Sequence, residues 1–421
     1  MLNQNLEKSV RSSPQIHWPS VAQFGLSTLA TLMLWLLAIS MVFIGVIQRL
    51  NPDYGAMDPL QPLLMAAGLF VSGLLATPSA LHALVRIIGK PSPIAKSSVL
   101  KRLMPLFALY VFPVVLLLGY WVAGKPSLAL LLLPAFHVLA IGLPVLWLTY
   151  IGQRNLPLSS PQRRWGIFSS GLILAPAVTL IAEIVALGGI VLLAAIWITG
   201  QPGLAEEIQN LAQSLTIQRT SPEAIRQMVE PFIASPTVLL AVLIYGAVVV
   251  PLIEELIKPV GVWLLAGFSL SPAEGFVAGV LSGAGYALFE SLALVTTSQE
   301  WALLVLARIG TAIIHIVTTG LTGWALASAW REGRYLKLGF TYLLAVTIHA
   351  LWNGLTLASV FTTVANLRSP STFNRIILGL SNATPFGLLT LAIGAFTILV
   401  IANRVFQRPS PIEATLPNES A

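Results

Sequence analysis

The chain contains no cysteine in 421 residues. A disulfide framework, a thiolate metal site and a cysteine nucleophile are therefore excluded. Charge is also scarce. The 23 basic and 16 acidic residues make up 9% of the chain, against roughly 25% in a typical soluble protein. A soluble globule of this length needs far more charge to cover its surface. An ordinary soluble enzyme, a disordered chain and a fibrous chain are excluded on this ground. A nucleic-acid partner is not expected either. The net charge of +7 comes from basic residues in loops between apolar runs, which is the signature of membrane topology. No internal repeat is evident, and matched interruptions of the two halves, usual in inverted-repeat transporters, are missing.

What the chain has in abundance is apolar length. Its apolar share is 56% and its mean hydropathy +0.84. A spanning helix needs about 20 apolar residues, and ten such segments occur: 22–48, 62–85, 103–122, 127–150, 167–199, 237–267, 272–297, 301–330, 335–362 and 378–403. The first is too long for a signal-peptide core and reads as a retained helix. With the N-terminus inside, fifteen Lys and Arg fall on the cytoplasmic side and six on the outer side. The excess favours ten spans with both termini cytoplasmic. The expected fold is an all-α polytopic integral membrane protein of ten transmembrane helices. Its divisions are a polar N-terminal tail over 1–20, a five-helix membrane region over 21–199, an extramembrane amphipathic segment over 200–235, a catalytic membrane core over 236–362, and a last helix with a polar tail over 363–421. The segment over 200–235 carries a stripe at Leu204, Ile208, Leu211 and Leu215, then a helix start at Ser221-Pro222 followed by Ile225, Met228, Val229 and Phe232. It is expected to pack as a cap on the outer surface.

An ionisable residue inside a span is costly and marks a functional site by default. Six qualify: Glu183, Glu254, Glu255, Lys258, Glu290 and Arg308. Five of them crowd between 254 and 308, and His315 and His349 extend the cluster. In P-L-I-E-E-L-I-K-P, residues 251–259, Glu254 and Lys258 are i and i+4 and share a helix face. Pro251 and Pro259 flank them and should kink or open the helix. Paired carboxylates beside a lysine suit general-base chemistry. In the next span Ser271 to Glu274 form a capping box, so Glu274 reads as a cap. Gly275, Gly279, Gly283 and Ala287 then allow close helix approach, and Glu290 lies seven residues after Gly283, two turns along the same face. Arg308 and His315 share a face of the eighth span, with Thr311 and Thr319 at i−4 and i+4 of the histidine. A threonine hydroxyl can bond the second imidazole nitrogen or bond back to its own helix. His349 and Asn353 are i and i+4 in the ninth.

Glu290, His315 and His349 come from three helices. Two histidines, a carboxylate and a water make a known type of catalytic zinc site. Glu254 or Glu255 would then take the water's proton, and Asn353 or Arg308 would stabilise the oxyanion. The same residues can also run a metal-free hydrolysis. Two readings from other classes stay open. One is a proton-coupled transporter using the Glu/His cluster as a relay, and the other is a membrane scaffold with a remnant site.

The order E-E-x-x-K, aromatic-x-x-x-E in a glycine-rich helix, histidine before threonines, and H-x-x-W-N resembles the PrsW family of intramembrane proteases, distant relatives of the CAAX-processing and bacteriocin-processing membrane proteases. The resemblance covers about residues 240–360. It implies that Glu254 and Glu255 are the essential paired glutamates with Lys258 as partner, and that Glu290, His315, His349 and Asn353 fill the later motifs. It implies hydrolysis of a peptide bond in or beside a membrane-spanning substrate, in some bacterial members a membrane anti-sigma factor, in a bacterial cytoplasmic membrane. Two positions depart from the pattern: Tyr286 stands where phenylalanine is common, and Ser291 where asparagine usually follows the glutamate. Glu183 and His137 carry no motif and read as structural. The scattered tryptophans read as an interfacial belt.

Overall fold

The structure is a computed structural model that describes residues 17–51, 58–90, 99–157, 159–201, 203, 206–210, 213, 235–297, 300–364 and 372–407. Ten of its helices are long and apolar enough to cross a membrane, so the chain is a polytopic all-α membrane protein. They are α1 (Trp18–Leu50), α2 (Leu60–Ile87), α3 (Val99–Ala123), α4 (Pro126–Gln153), α5 (Pro161–Thr199), α6 (Pro236–Trp263), α7 (Pro272–Ala293), α8 (Glu300–Glu332), α9 (Tyr335–Val364) and α10 (Thr372–Phe406). The ten apolar segments of the sequence correspond to them one for one. The cap expected over 200–235 lies outside the described residues apart from 206–210 and a few single positions, and so do Lys8, Arg11, Lys96, Arg219, Arg226, Arg368 and Arg408.

Local signals set the helix starts. Ser160, Ser235 and Ser271 each precede a proline, and each side chain accepts a hydrogen bond from the backbone N–H three residues on. The hydroxyl satisfies an orphan N–H while proline occupies a position that has none to lose. Ser271 and Glu274 complete the expected capping box.

The bundle is built outward from the α7–α8 hairpin, whose residues are the most deeply buried in the chain. Added Cβ atoms explain why the glycine series matters. At Gly279 a Cβ would collide with the backbone oxygen of Thr319, and at Gly283 it would stand 2.6 Å from the oxygen of His315. Only glycine lets α7 and α8 lie this close. Around the pair stand α4, the first part of α5, α9 and α10, with α1 packed on α2 and α3 on α4. The outward faces are strongly apolar, as at Leu29, Phe43, Phe107, Leu117, Leu131 and Leu193, which is the surface that lipid requires.

Two helices contain a π-helical turn, Ser170–Leu174 in α5 and Tyr245–Val249 in α6. Both have glycine at the second position and proline five residues after it: Gly171 with Pro176, and Gly246 with Pro251. Each loosened turn thus meets a residue with no N–H to give. A third interruption comes at Lys258-Pro259, where α6 breaks and resumes as a short turn over Val260–Trp263.

Candidate active site

The segment between Pro251 and Pro259 delivers Glu254, Glu255 and Lys258 into the bundle, and all three are buried. The Lys258 ammonium is the point of convergence. Its Nζ donates to Glu255 Oε1 at 2.8 Å and to His315 Nδ1 at 2.7 Å, and His349 Nδ1 lies 3.2 Å from Nζ and 3.0 Å from Glu255 Oε1. Glu254 Oε2 lies 2.8 Å away as an ion pair but receives no well-directed hydrogen bond, and neither does Glu255 Oε2. The Tyr286 ring covers the ammonium with its centroid 5.1 Å from Nζ and meets the edge of His315.

His315 joins this cluster to a second one. Its Nε2 is 2.6 Å from Glu290 Oε2. An ionised carboxylate only accepts and an ammonium only donates. Nε2–H therefore donates to Glu290, while Nδ1 accepts from Lys258 and keeps its lone pair toward the centre. Glu290 in turn lies 2.9 Å from Arg308 Nη2, and Arg308 Nε donates to Ser291 Oγ at 3.1 Å. Ser291 thus has a definite task at the position where asparagine was expected. The Glu290 side chain is 37% exposed, against 0% for His315, so it forms the edge of the site.

The residues singled out in the sequence do gather. Glu254, Glu255, Lys258, His315 and His349 share one centre, and Glu290 and Arg308 adjoin it. Their partners differ from those expected in three respects. The carboxylate that joins the two histidines in a metal-competent group is Glu254, with ligand atoms of all three residues within 4.8 Å of one another; Glu290 instead binds the outer nitrogen of His315. Arg308 is committed to Glu290 and Ser291. Asn353 donates to the backbone oxygen of Gly246 at 3.0 Å, because two turns of neighbouring helix meet there. Of the threonines beside His315, Thr311 bonds back to Ala307 O and receives Trp352 Nε1. His137 is the helix–helix contact expected, accepting from Trp301 Nε1 at 3.2 Å.

Glu183, read as structural, stands in α5. Its Oε1 is buried without a partner, and Tyr245 donates to its backbone oxygen at 2.9 Å.

The donor set suits a zinc ion. Two imidazoles and one carboxylate are its usual catalytic ligands. The unbonded oxygens of Glu254 and Glu255 leave acceptor capacity facing a buried centre. The Glu290 carboxylate holds the His315 ring by its far nitrogen, as outer partners of ligating histidines do.

Such a site, shared among four spanning helices with a second carboxylate beside the candidate ligands, is consistent with a membrane-embedded metal-dependent hydrolase. Residues 176–374 match the family described as PrsW family intramembrane metalloprotease. The matched stretch begins in α5 and so takes in Glu183. No curated protein and no solved structure matches the chain.

Proposed function

We propose that the protein is an intramembrane endopeptidase that hydrolyses a peptide bond in or next to a membrane-spanning substrate. The observation that carries this reading is the buried Glu254, His315 and His349 group on three separate helices. These three side chains would hold the zinc ion. When bound there, zinc supplies Lewis acidity, making a water more acidic and a carbonyl more electrophilic. Glu255 is the general base: its Oε2 is free of hydrogen bonds while Lys258 fixes its Oε1. Lys258 keeps the paired carboxylates together and presents a positive charge to the developing oxyanion. Glu290 and Arg308 hold His315 in its tautomer.

A substrate helix must unwind locally, since its peptide bonds are shielded while helical. The substrate fits the class of single-span membrane proteins, of which a membrane anti-sigma factor is the example the family suggests. The excess of basic residues on one side supports both termini in the cytoplasm, and the cytoplasmic membrane of a bacterium as the location.

Purified protein incubated with a tagged transmembrane substrate in micelles tests the assignment. Cleavage should require zinc and vanish in Glu255→Ala and in the double variant His315→Ala, His349→Ala, with folding retained. Full proteolysis by the double variant, or ion flux in proteoliposomes without any proteolysis, refutes it.

A further inference from the structure

A break in the helix stands at each proline that flanks the glutamate segment, and beside each break a backbone carbonyl without its helical partner is taken by a side chain from a neighbouring helix. At the N-terminal end, Val250 N–H bonds Tyr245 O, five residues back. In this register Gly246 O should receive the N–H of residue 251, but that residue is Pro251 and has none. The alternative donor four residues on is Val250, already engaged. Gly246 O is filled by Asn353 Nδ2 from α9 at 3.0 Å. At the other end, Val262 N–H turns to Pro259 O at 2.7 Å and abandons Lys258 O. That oxygen accepts Ser282 Oγ from α7 at 2.6 Å, and the same hydroxyl accepts Gly261 N–H at 3.3 Å.

We infer that Asn353 and Ser282 are positioning residues that set the register of the glutamate segment, acting through the carbonyls left free at the helix breaks beside Pro251 and Pro259 and touching no reacting atom. A buried carbonyl left bare is costly, so each bond forms only when the two helices stand at one relative height. For Asn353 that height also fixes His349, one turn earlier on the same face of α9. A second tie lies on the far side of His349, where Tyr342 OH donates to Leu252 O at 2.7 Å. The histidine is thus clamped against Glu255 and Lys258 between two cross-helix bonds. The inference rests on the reading of His349 as a site residue, but not on metal or cleavage.

The test uses the full chain in micelles, chelator-treated, with diethyl pyrocarbonate labelling of histidines read by mass spectrometry. Asn353→Leu should raise the labelling rate of His349 about tenfold, the opening expected for one lost hydrogen bond. His137, equally buried in α4, should not change and reports general loosening. In a Pro251→Ala background, where Gly246 O regains a backbone donor, Asn353→Leu should have little further effect. Ser282→Ala should act like Asn353→Leu and remain effective in that background. The inference is overturned if His349 stays as protected in Asn353→Leu as in the wild type, if His137 rises in step with it, or if Pro251→Ala leaves the effect of Asn353→Leu undiminished. The last result would return Asn353 to a direct role. Since no zinc or substrate is present, failure here is distinct from failure of the protease assignment.

Discussion

Replacing Lys258 by methionine separates the two cations that the site can use. In the structure the ammonium stands 2.8 Å from both Glu254 and Glu255, and the Glu255 side chain has no exposure. Removing one partner of a buried ion pair costs about 3–5 kcal/mol, since the charge left behind stays desolvated. Here two carboxylates lose the same partner, and the His315 imidazole loses a donor. The chelator-treated Lys258→Met protein should therefore be less stable than wild type by at least about 3–5 kcal/mol, measured by reversible unfolding in mixed micelles. Zinc should then compensate. A ligand at a thousand times its Kd adds about 4.1 kcal/mol, so saturating zinc should return most of the loss. The gain should be smaller in wild type, where the ion meets an ammonium among the same donor atoms. Equal stability of the two proteins in chelator, or a zinc gain as large in wild type as in the variant, refutes the picture of one centre shared by lysine and metal.

Two further outcomes follow from packing and hydrogen bonding. Ser291→Ala removes the acceptor of Arg308 Nε and should cost about 1–3 kcal/mol, while Ser291→Asn, which restores an acceptor, should stay near wild type in the same unfolding assay. Gly283→Ala puts a methyl group 2.6 Å from His315 O. It should push α8 from α7, weaken zinc binding at least tenfold in a competition titration with a chromogenic chelator, and lower stability; unchanged zinc affinity would contradict the close-packed hairpin as the support of His315.

The ten helices were legible because apolar length is a one-dimensional property, and the glycine series because its period alone places it on one face. The convergence of Glu254, His315 and His349 was legible only as a list of costly residues. Which carboxylate joins the histidines was not. Glu254 and Glu290 have the same chemistry, and the choice depends on which side of His315 each helix approaches. The task of Asn353 was hidden for a different reason. Its partner is a backbone oxygen, freed by a proline on another helix more than a hundred residues away, and sequence spacing records side chains rather than carbonyls. The pattern Gly246 to Pro251, repeated at Gly171 and Pro176, was visible in the sequence, and it becomes meaningful once a proline is read as a missing donor at both four and five residues' distance.

Electrostatics explains why Glu254 suits the inner position and Glu290 the outer one. The inner group has two carboxylates and one ammonium, and His315 is neutral because its two nitrogens face an obligate acceptor and an obligate donor. The inner cluster therefore carries an unbalanced negative charge in a medium that tolerates none. Lys258 Nζ stands 2.8 Å from both carboxylates, and Glu254 Oε2 and Glu255 Oε2 are buried without a hydrogen bond. Glu290, by contrast, is already matched by Arg308 at 2.9 Å and partly reached by solvent. A divalent cation entering this bundle gains most where negative charge is both buried and in excess, beside the pair Glu254 and Glu255 that shares one ammonium, and less beside Glu290. The same asymmetry leaves Glu290 free to hold the His315 ring from behind without competing for the ion.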